Sequence, residues 1–427
     1  MPDARIAEVC AWEALDSRGR PTVGCEVTLR GGASGTVTVP SGASTGSHEA
    51  LELRDGDPAR YGGWGVLAAV GHAEGELADA VRGLDGRAWR DVDAALEAAA
   101  GGDDLGRCGA NATLAVSLAT VLAAAANEGV PPYTLLGEGH APELPLPMVN
   151  IISGGAHAGD LIDIQDCLAI PVGARSFGDA IRWAGTVRNA TQQVAEQRGM
   201  RARLVADEGG LGLPLQSNEA ALELLVAGID AAGLRPGIDV AIGIDVAATQ
   251  LATRDGYGLP SEGRALTSRE LVGELQRWVR HYPVVSIEDG LGEDDWPAWR
   301  QLTDLLGATT QLIGDDLFVT NAMRIERGVA EGVANAVLIK PNQAGTLSRT
   351  FNAFSAARGA GYRTIVSARS GDTEDSWLAD LVVAWRAGQI KVGSTTRSER
   401  NAKWNRLLQL ERRLPNAPLS EPFGRRP

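Results

Sequence analysis

From about residue 146 onward the chain repeats one pattern, a short apolar run of strand character followed by a stretch with helical periodicity. That alternation calls for βα units and a largely parallel sheet, because parallel strands can be joined only by a long crossover. The way the runs end narrows the choice further. Val240-Ala241-Ile242-Gly243-Ile244 stops at Asp245, Val284-Val285-Ser286-Ile287 at Glu288, and Gln311-Leu312-Ile313-Gly314 at Asp315. The later runs stop at Lys340, before Ser367-Ala368-Arg369-Ser370, and at Lys391. A single charged residue at a strand end is an ordinary turn or helix cap. An ordered series of acid, acid, acid, base, Arg-Ser and base is not, and in a closed βα barrel these ends share the face that carries chemistry.

Three carboxylates at one point repel each other and bind protons more tightly unless a cation sits among them. Hard oxygen donors without His or Cys favour Mg²⁺. Only three of the 40 basic residues are lysine, namely Lys340, Lys391 and Lys403. Where arginine serves every purely electrostatic need, a retained lysine is a candidate for losing its proton near neutral pH, which guanidinium does not do. A lysine desolvated beside a cation site suits abstraction of a weakly acidic proton next to a carboxylate. Lys403, in a C-terminal helical pattern with Trp404 and Leu407, reads instead as a solvated helix residue.

Upstream, Thr22 to Leu29 alternates in strand fashion and is broken by Gly31-Gly32, which predicts antiparallel hairpins. A helix is expected over Asn111 to Asn127, closed by Gly129 and Pro131-Pro132. The Pro-rich stretch 142–147 marks a domain boundary. The chain thus divides into an α+β domain at 1–138 and a β/α barrel domain at 139–427. A net charge of −14 argues against nucleic acid or anionic membranes as partners. The apolar run near Val116 to Ala126 is expected to be too short for a bilayer span. With no signal peptide, and four cysteines that lie far apart, a cytoplasmic protein without disulfides is expected.

Leu15-Asp16-Ser17-Arg18-Gly19, Pro40-Ser41-Gly42-Ala43-Ser44-Thr45-Gly46, Gly154-Gly155-Ala156-His157-Ala158, Asp207-Glu208-Gly209-Gly210, Ser286-Ile287-Glu288-Asp289-Gly290, the 314–321 segment and Gly388-Gln389-Ile390-Lys391 resemble the enolase family. The resemblance implies an N-terminal α+β domain followed by an enolase-type (β/α)8 barrel, and at least a homodimer. It implies Asp245, Glu288 and Asp315 as ligands of the tighter of two Mg²⁺ ions, and Lys340 as the base. Glu208 is implied as the acid that helps a hydroxyl leave, and His157 as a residue of a closing loop. Arg369 and Ser370 are implied to bind phosphate, Lys391 the substrate carboxylate side, and Ser44 the second Mg²⁺. Gln165 and Asp166 match the family's Gln-Glu pair.

Departures from that pattern gather at the same positions. Ala368 replaces a histidine, Asp166 is one methylene shorter than glutamate, Pro341 follows the proposed base, Ala344 stands for a larger aliphatic residue, and Ser153 for asparagine. The loop after Gly210 reads Leu211-Gly212-Leu213-Pro214. Base and metal ligands are kept while pocket-wall residues change. The resemblance therefore implies proton abstraction from a small phosphorylated or phosphonylated anion. The substrate it implies is 2-phosphoglycerate or, in a secondary-metabolism paralogue of the carboxyphosphonoenolpyruvate synthase kind, a phosphonate analogue. A non-catalytic binding protein would have been expected to lose these residues.

Overall fold

The computed structural model describes residues 2–42, 46–137 and 139–424. Near the N-terminus β1 (Ile6–Leu15), β2 (Pro21–Leu29) and β3 (Ser34–Thr38) form an antiparallel meander. Val23, Cys25, Val27 and Leu29 alternate along β2 and are buried. The sheet packs on the helix Ala110–Glu128, which ends on the left-handed Gly129 at φ 66°. This helix is apolar on every side, so it must be covered all round. By length and composition alone it could cross a bilayer, which corrects the expectation that the run was too short. In the fold 89% of its apolar window is buried. Gly35 permits the close contact, because a Cβ there would lie 2.2 Å from the Ala123 nitrogen.

The second architecture begins with β4 (Leu146–Ser153) and β5 (Asp166–Ile170), followed by the short β6 (Leu211–Gly212) and β7 (Ala241–Asp245). A separate small sheet holds β8 (Ala252–Thr253), β9 (Gly256–Leu259) and β10 (Arg264–Leu266). Then come β11 (Val284–Glu288), β12 (Gln311–Gly314), β13 (Ala336–Ile339), β14 (Arg363–Ser367) and β15 (Gly388–Gly393), each but the last linked to its successor through helix. Eight strands close in the order β4-β5-β7-β11-β12-β13-β14-β15 and back to β4. The change of architecture falls between the helix Pro132–Leu136 and β4.

One strand departs from the parallel pattern. β5 runs antiparallel to both β4 and β7. The chain climbs β4, turns through residues 154–165 and descends β5, so the start of β5 lies at the same barrel mouth as the ends of the other strands. This brings Gln165 and Asp166 to that mouth although they precede their strand, with Asp166 in register with Asp245. Leu146, Met148, Leu168, Ile170, Val285 and Ile313 fill the barrel interior with their neighbours. Within it Gln311 Nε2 donates to Gln389 Oε1 at 2.9 Å, which satisfies both buried amides in part.

Candidate active site

At the barrel mouth the tips of β7 and β11 lie side by side, Glu288 in register with Asp245. Lys391, from β15 across the mouth, bridges them. Its Nζ donates to Asp245 Oδ2 at 2.7 Å and to Glu288 Oε2 and Oε1 at 2.7 and 2.8 Å. Asp315, after β12, receives Lys340 Nζ on Oδ2 and Gln343 Nε2 on Oδ1 at 3.0 Å. Gln165 Nε2 donates to Asp245 Oδ2 at 3.1 Å. The strand-tip acids and both lysines therefore converge in a buried cluster.

Burial, with Asp245 and Asp315 close by, pushes Glu288 well above the usual carboxylate range. Asp289 is raised in the same way by burial and by Asp316 and Asp315. The expectation of a lysine with weakened proton affinity is corrected for this arrangement. Burial does disfavour the Lys340 ammonium, but contact with Asp315 outweighs it and the proton is held more tightly than in an ordinary lysine. Lys391 is raised well above its ordinary value against the same burial, by Asp245 and Glu288.

On the β4–β5 side, His157 Nδ1 lies 3.1 Å from Asp166 Oδ2, and its Nε2 lies 3.9 Å from Glu208 Oε1. Asp166 Oδ1 also accepts from Ser153 Oγ at 3.1 Å and from Asn150 Nδ2. Burial alone would neutralise His157. Asp166 and Glu208 reverse that and raise it to about 9, so the ring is an imidazolium at neutral pH. Glu208 reaches its place through Gly209, whose φ of 84° suits glycine and whose Cβ would lie 2.6 Å from Thr396 Oγ1.

Arg369 follows β14 with its guanidinium buried. Nη1 and Nη2 donate to Glu49 Oε2 and Oε1 at 3.0 and 3.2 Å, and Nη1 donates to Asn342 Oδ1 at 3.1 Å. The family-implied phosphate residue thus already holds a carboxylate from the N-terminal domain. Ser370 contributes its carbonyl to Arg400 Nη2 at 2.6 Å. Ala368, where the family pattern has histidine, is buried and joins β15 through its N–H to the Lys391 carbonyl. Ser44 lies outside the described residues.

Lys403 is not solvated, contrary to the sequence expectation. It is buried, and Nζ donates to Asp372 Oδ1 at 2.6 Å, to the Glu399 carbonyl at 3.0 Å and to the Thr373 carbonyl. Arg400, also buried, donates to the carbonyls of Arg369, Ser370 and Val392. Two cations of the C-terminal helix Ser398–Arg413 therefore fasten the 369–373 segment from behind.

Asp166, Glu208, Asp245, Glu288, Asp289, Asp315 and Asp316 are all buried around this mouth, facing Lys340, Lys391, Arg369 and His157. Carboxylates outnumber cationic groups, and Glu49 already occupies Arg369. A hard divalent ion fits such a donor set by its charge and its preference for oxygen. Asp289, Asp315 and Asp316 place ligand oxygens within 4.8 Å of one another. Ala247, Asp289, Val319 and Thr320 all have φ between 39° and 50° here. Positive φ is costly for β-branched residues, about 1–3 kcal/mol each, and such strain clusters at functional sites.

Two family models describe this architecture end to end. Residues 6–136 match the enolase N-terminal domain and residues 141–420 the enolase C-terminal TIM barrel domain. The chain belongs to the enolase family. Enolase-family barrels are associated with Mg²⁺, and the acidic mouth described above has the groups to hold it. Sequence reasoning did not single out Glu49, Asn342, Gln343 or Arg400. Nothing in local pattern marks them, because the contacts that bring them to the site span long stretches of chain, from 27 residues for Asn342 with Arg369 to 320 for Glu49 with Arg369.

Proposed function

We propose that this enolase-family protein is a Mg²⁺-dependent lyase that removes the C2 proton of 2-phosphoglycerate or a close analogue to give an enolpyruvate product. The convergence of Asp245, Glu288, Asp315, Lys340 and Lys391 supports this reading. Asp245, Glu288 and Asp315 are the residues that would hold a tightly bound Mg²⁺, with a second, weaker ion expected. When bound, the metal supplies Lewis-acid stabilisation of charge on the substrate carboxylate. Lys340 Nζ would take the proton from the carbon next to that carboxylate once Asp315, the group that holds its ammonium form, is engaged by the metal instead and the amine has lost its proton. Lys391 binds the carboxylate side, and Arg369 with Ser370 binds the phosphoryl group once Glu49 has moved aside. Glu208, the acid the family resemblance implies, would help the hydroxyl leave, with the His157–Asp166 pair beside it. Ser44 is proposed to complete the second ion's site. We expect a cytoplasmic homodimer with no nucleic-acid or membrane partner.

A specific observation favours a second reading. A cavity of about 550 Å³ adjoins the site and is lined by Gln343, Ala344, Val319, Thr320 and Glu49. Ala344 and Ala368 both leave space or remove a proton donor relative to the family pattern. A paralogue making a phosphonate-bearing enolpyruvate, of the carboxyphosphonoenolpyruvate synthase kind, would use that space while keeping the same base. The pure protein with Mg²⁺ and 2-phosphoglycerate in deuterated water separates the two. C2 exchange with phosphoenolpyruvate absorbance supports the first reading. Exchange without product favours the second, and the absence of both signals rules out 2-phosphoglycerate as substrate.

A further inference from the structure

Far from the catalytic cluster in sequence, three metal-ligating side chains of different chemistry meet in the N-terminal domain. His72 ends the short helix Leu67–His72, and Glu76 lies in the π-turn Ala73–Leu77 that continues it. Cys108 lies just before the helix Ala110–Glu128. Glu76 Oε1 is the meeting point, with His72 Nδ1 at 2.7 Å and Cys108 Sγ at 3.1 Å. The three ligand atoms lie within 4.8 Å of one another. The other oxygen, Oε2, receives Arg107 Nη1 at 2.6 Å. Arg107 and the thiol hold the Glu76 carboxyl down at about 2, so it is charged and oriented, with Oε1 turned towards the other two groups.

An imidazole nitrogen, a carboxylate oxygen and a sulfur form a borderline-soft set, unlike the all-oxygen donors at the barrel mouth. The backbone is unusual at the same place. π-turns are rare and recur at functional sites, and Gly75 inside this one leaves helical geometry at φ −94° and ψ −108°. His72 and Glu76 are about one-third exposed, which gives an ion a way in, while Cys108 closes the inner wall. We propose that His72, Glu76 and Cys108 form a second cation site of the protein, for zinc or a similar borderline divalent ion, with solvent in a fourth position.

Binding there balances simply. The Cys108 S–H proton leaves to solvent and a sulfur–metal bond takes its place, while the neutral His72 ring gives up the Nδ1–H it directs at Glu76 and takes its ring proton on Nε2, which frees the Nδ1 lone pair for the ion. Burial and Glu76 push the thiol up to about 12, so the ion displaces a firmly held proton, as coordinating cations do. The site would brace one wall of the 550 Å³ cavity. Leu51, Asp103 and Asp104 line it, the Leu51 N–H donates to the Asp104 carbonyl at 2.9 Å, and Ala110, two residues after Cys108, donates to the Leu51 carbonyl at 2.8 Å.

The test uses the full chain in excess Mg²⁺, which saturates the oxygen site, titrated with Co²⁺ as a coloured substitute for zinc. The expected result is a near-ultraviolet thiolate-to-cobalt band with visible tetrahedral bands, both erased by Zn²⁺, and release of a proton on Zn²⁺ binding. Cys108→Ala should abolish the thiolate band. His72→Ala, a change at a partly exposed position that leaves the core intact, should weaken binding by at least about tenfold. Absence of the band in the wild type, or its survival in Cys108→Ala, would overturn the site. No activity is read, so either outcome leaves the proposed reaction untouched.

Discussion

Replacing Lys403 with methionine removes one charge and little volume, and so isolates what a buried ammonium does behind the site. The Lys403 and Asp372 side chains are 2% and 5% exposed and in contact at 2.6 Å. Stranding a buried charge by removing its partner costs about 3–5 kcal/mol, whereas a near-isosteric apolar swap by itself costs less than about 1.5 kcal/mol. Asp372 keeps two backbone donors, Thr373 at 2.7 Å on Oδ1 and Arg369 at 3.2 Å on Oδ2. That places the expected loss near the lower end, about 3 kcal/mol. Denaturant unfolding of Lys403→Met, followed by circular dichroism, should show it as a fall in midpoint with unchanged slope. Adding Asp372→Asn should recover much of the loss, because the stranded charge is then gone. A deficit below about 1 kcal/mol, the size of an exposed ion pair, would refute the argument and return Lys403 to the surface.

In Glu49→Gln the Arg369 guanidinium loses its resident anion. Inorganic phosphate should then bind about tenfold more tightly by calorimetry, and equal or weaker binding would show that Glu49 does not compete for Arg369. Asp93 is buried, and burial raises it from 3.8 to about 6 against hydrogen bonds from Ser348. Its folded value exceeds its unfolded one, so its favourable contribution is complete below about pH 4 and is lost as pH rises to about 6, by about 3 kcal/mol. Asp93→Asn should flatten that part of the stability-pH curve, and parallel curves for the two proteins would count against it. Restoring the family residues with Ala368→His and Asp166→Glu together should raise turnover of 2-phosphoglycerate. If turnover does not change, the difference lies in the surrounding loops.

Local chemistry was enough to read the periodic parts of this protein. Apolar alternation marked β2, a helical pattern over Asn111 to Asn127 closed by Gly129 marked the helix found at Ala110–Glu128, and the charged ends of the later strands marked the barrel mouth, because each signal lies within one element. The same patterns were silent on direction, since a strand has the same period whichever way it runs. Only closure of the barrel showed that β5 is inverted and that Asp166 therefore faces the mouth from the start of its strand. Lys403 shows the limit most clearly. Its helical pattern offers no sign of which face is covered, and an ammonium looks solvated until the 369–373 segment is packed against it. Proton affinity depends on tertiary structure in the same way, because the excess of Asp315 over burial at Lys340 arises only when strands far apart in sequence bring their ends together.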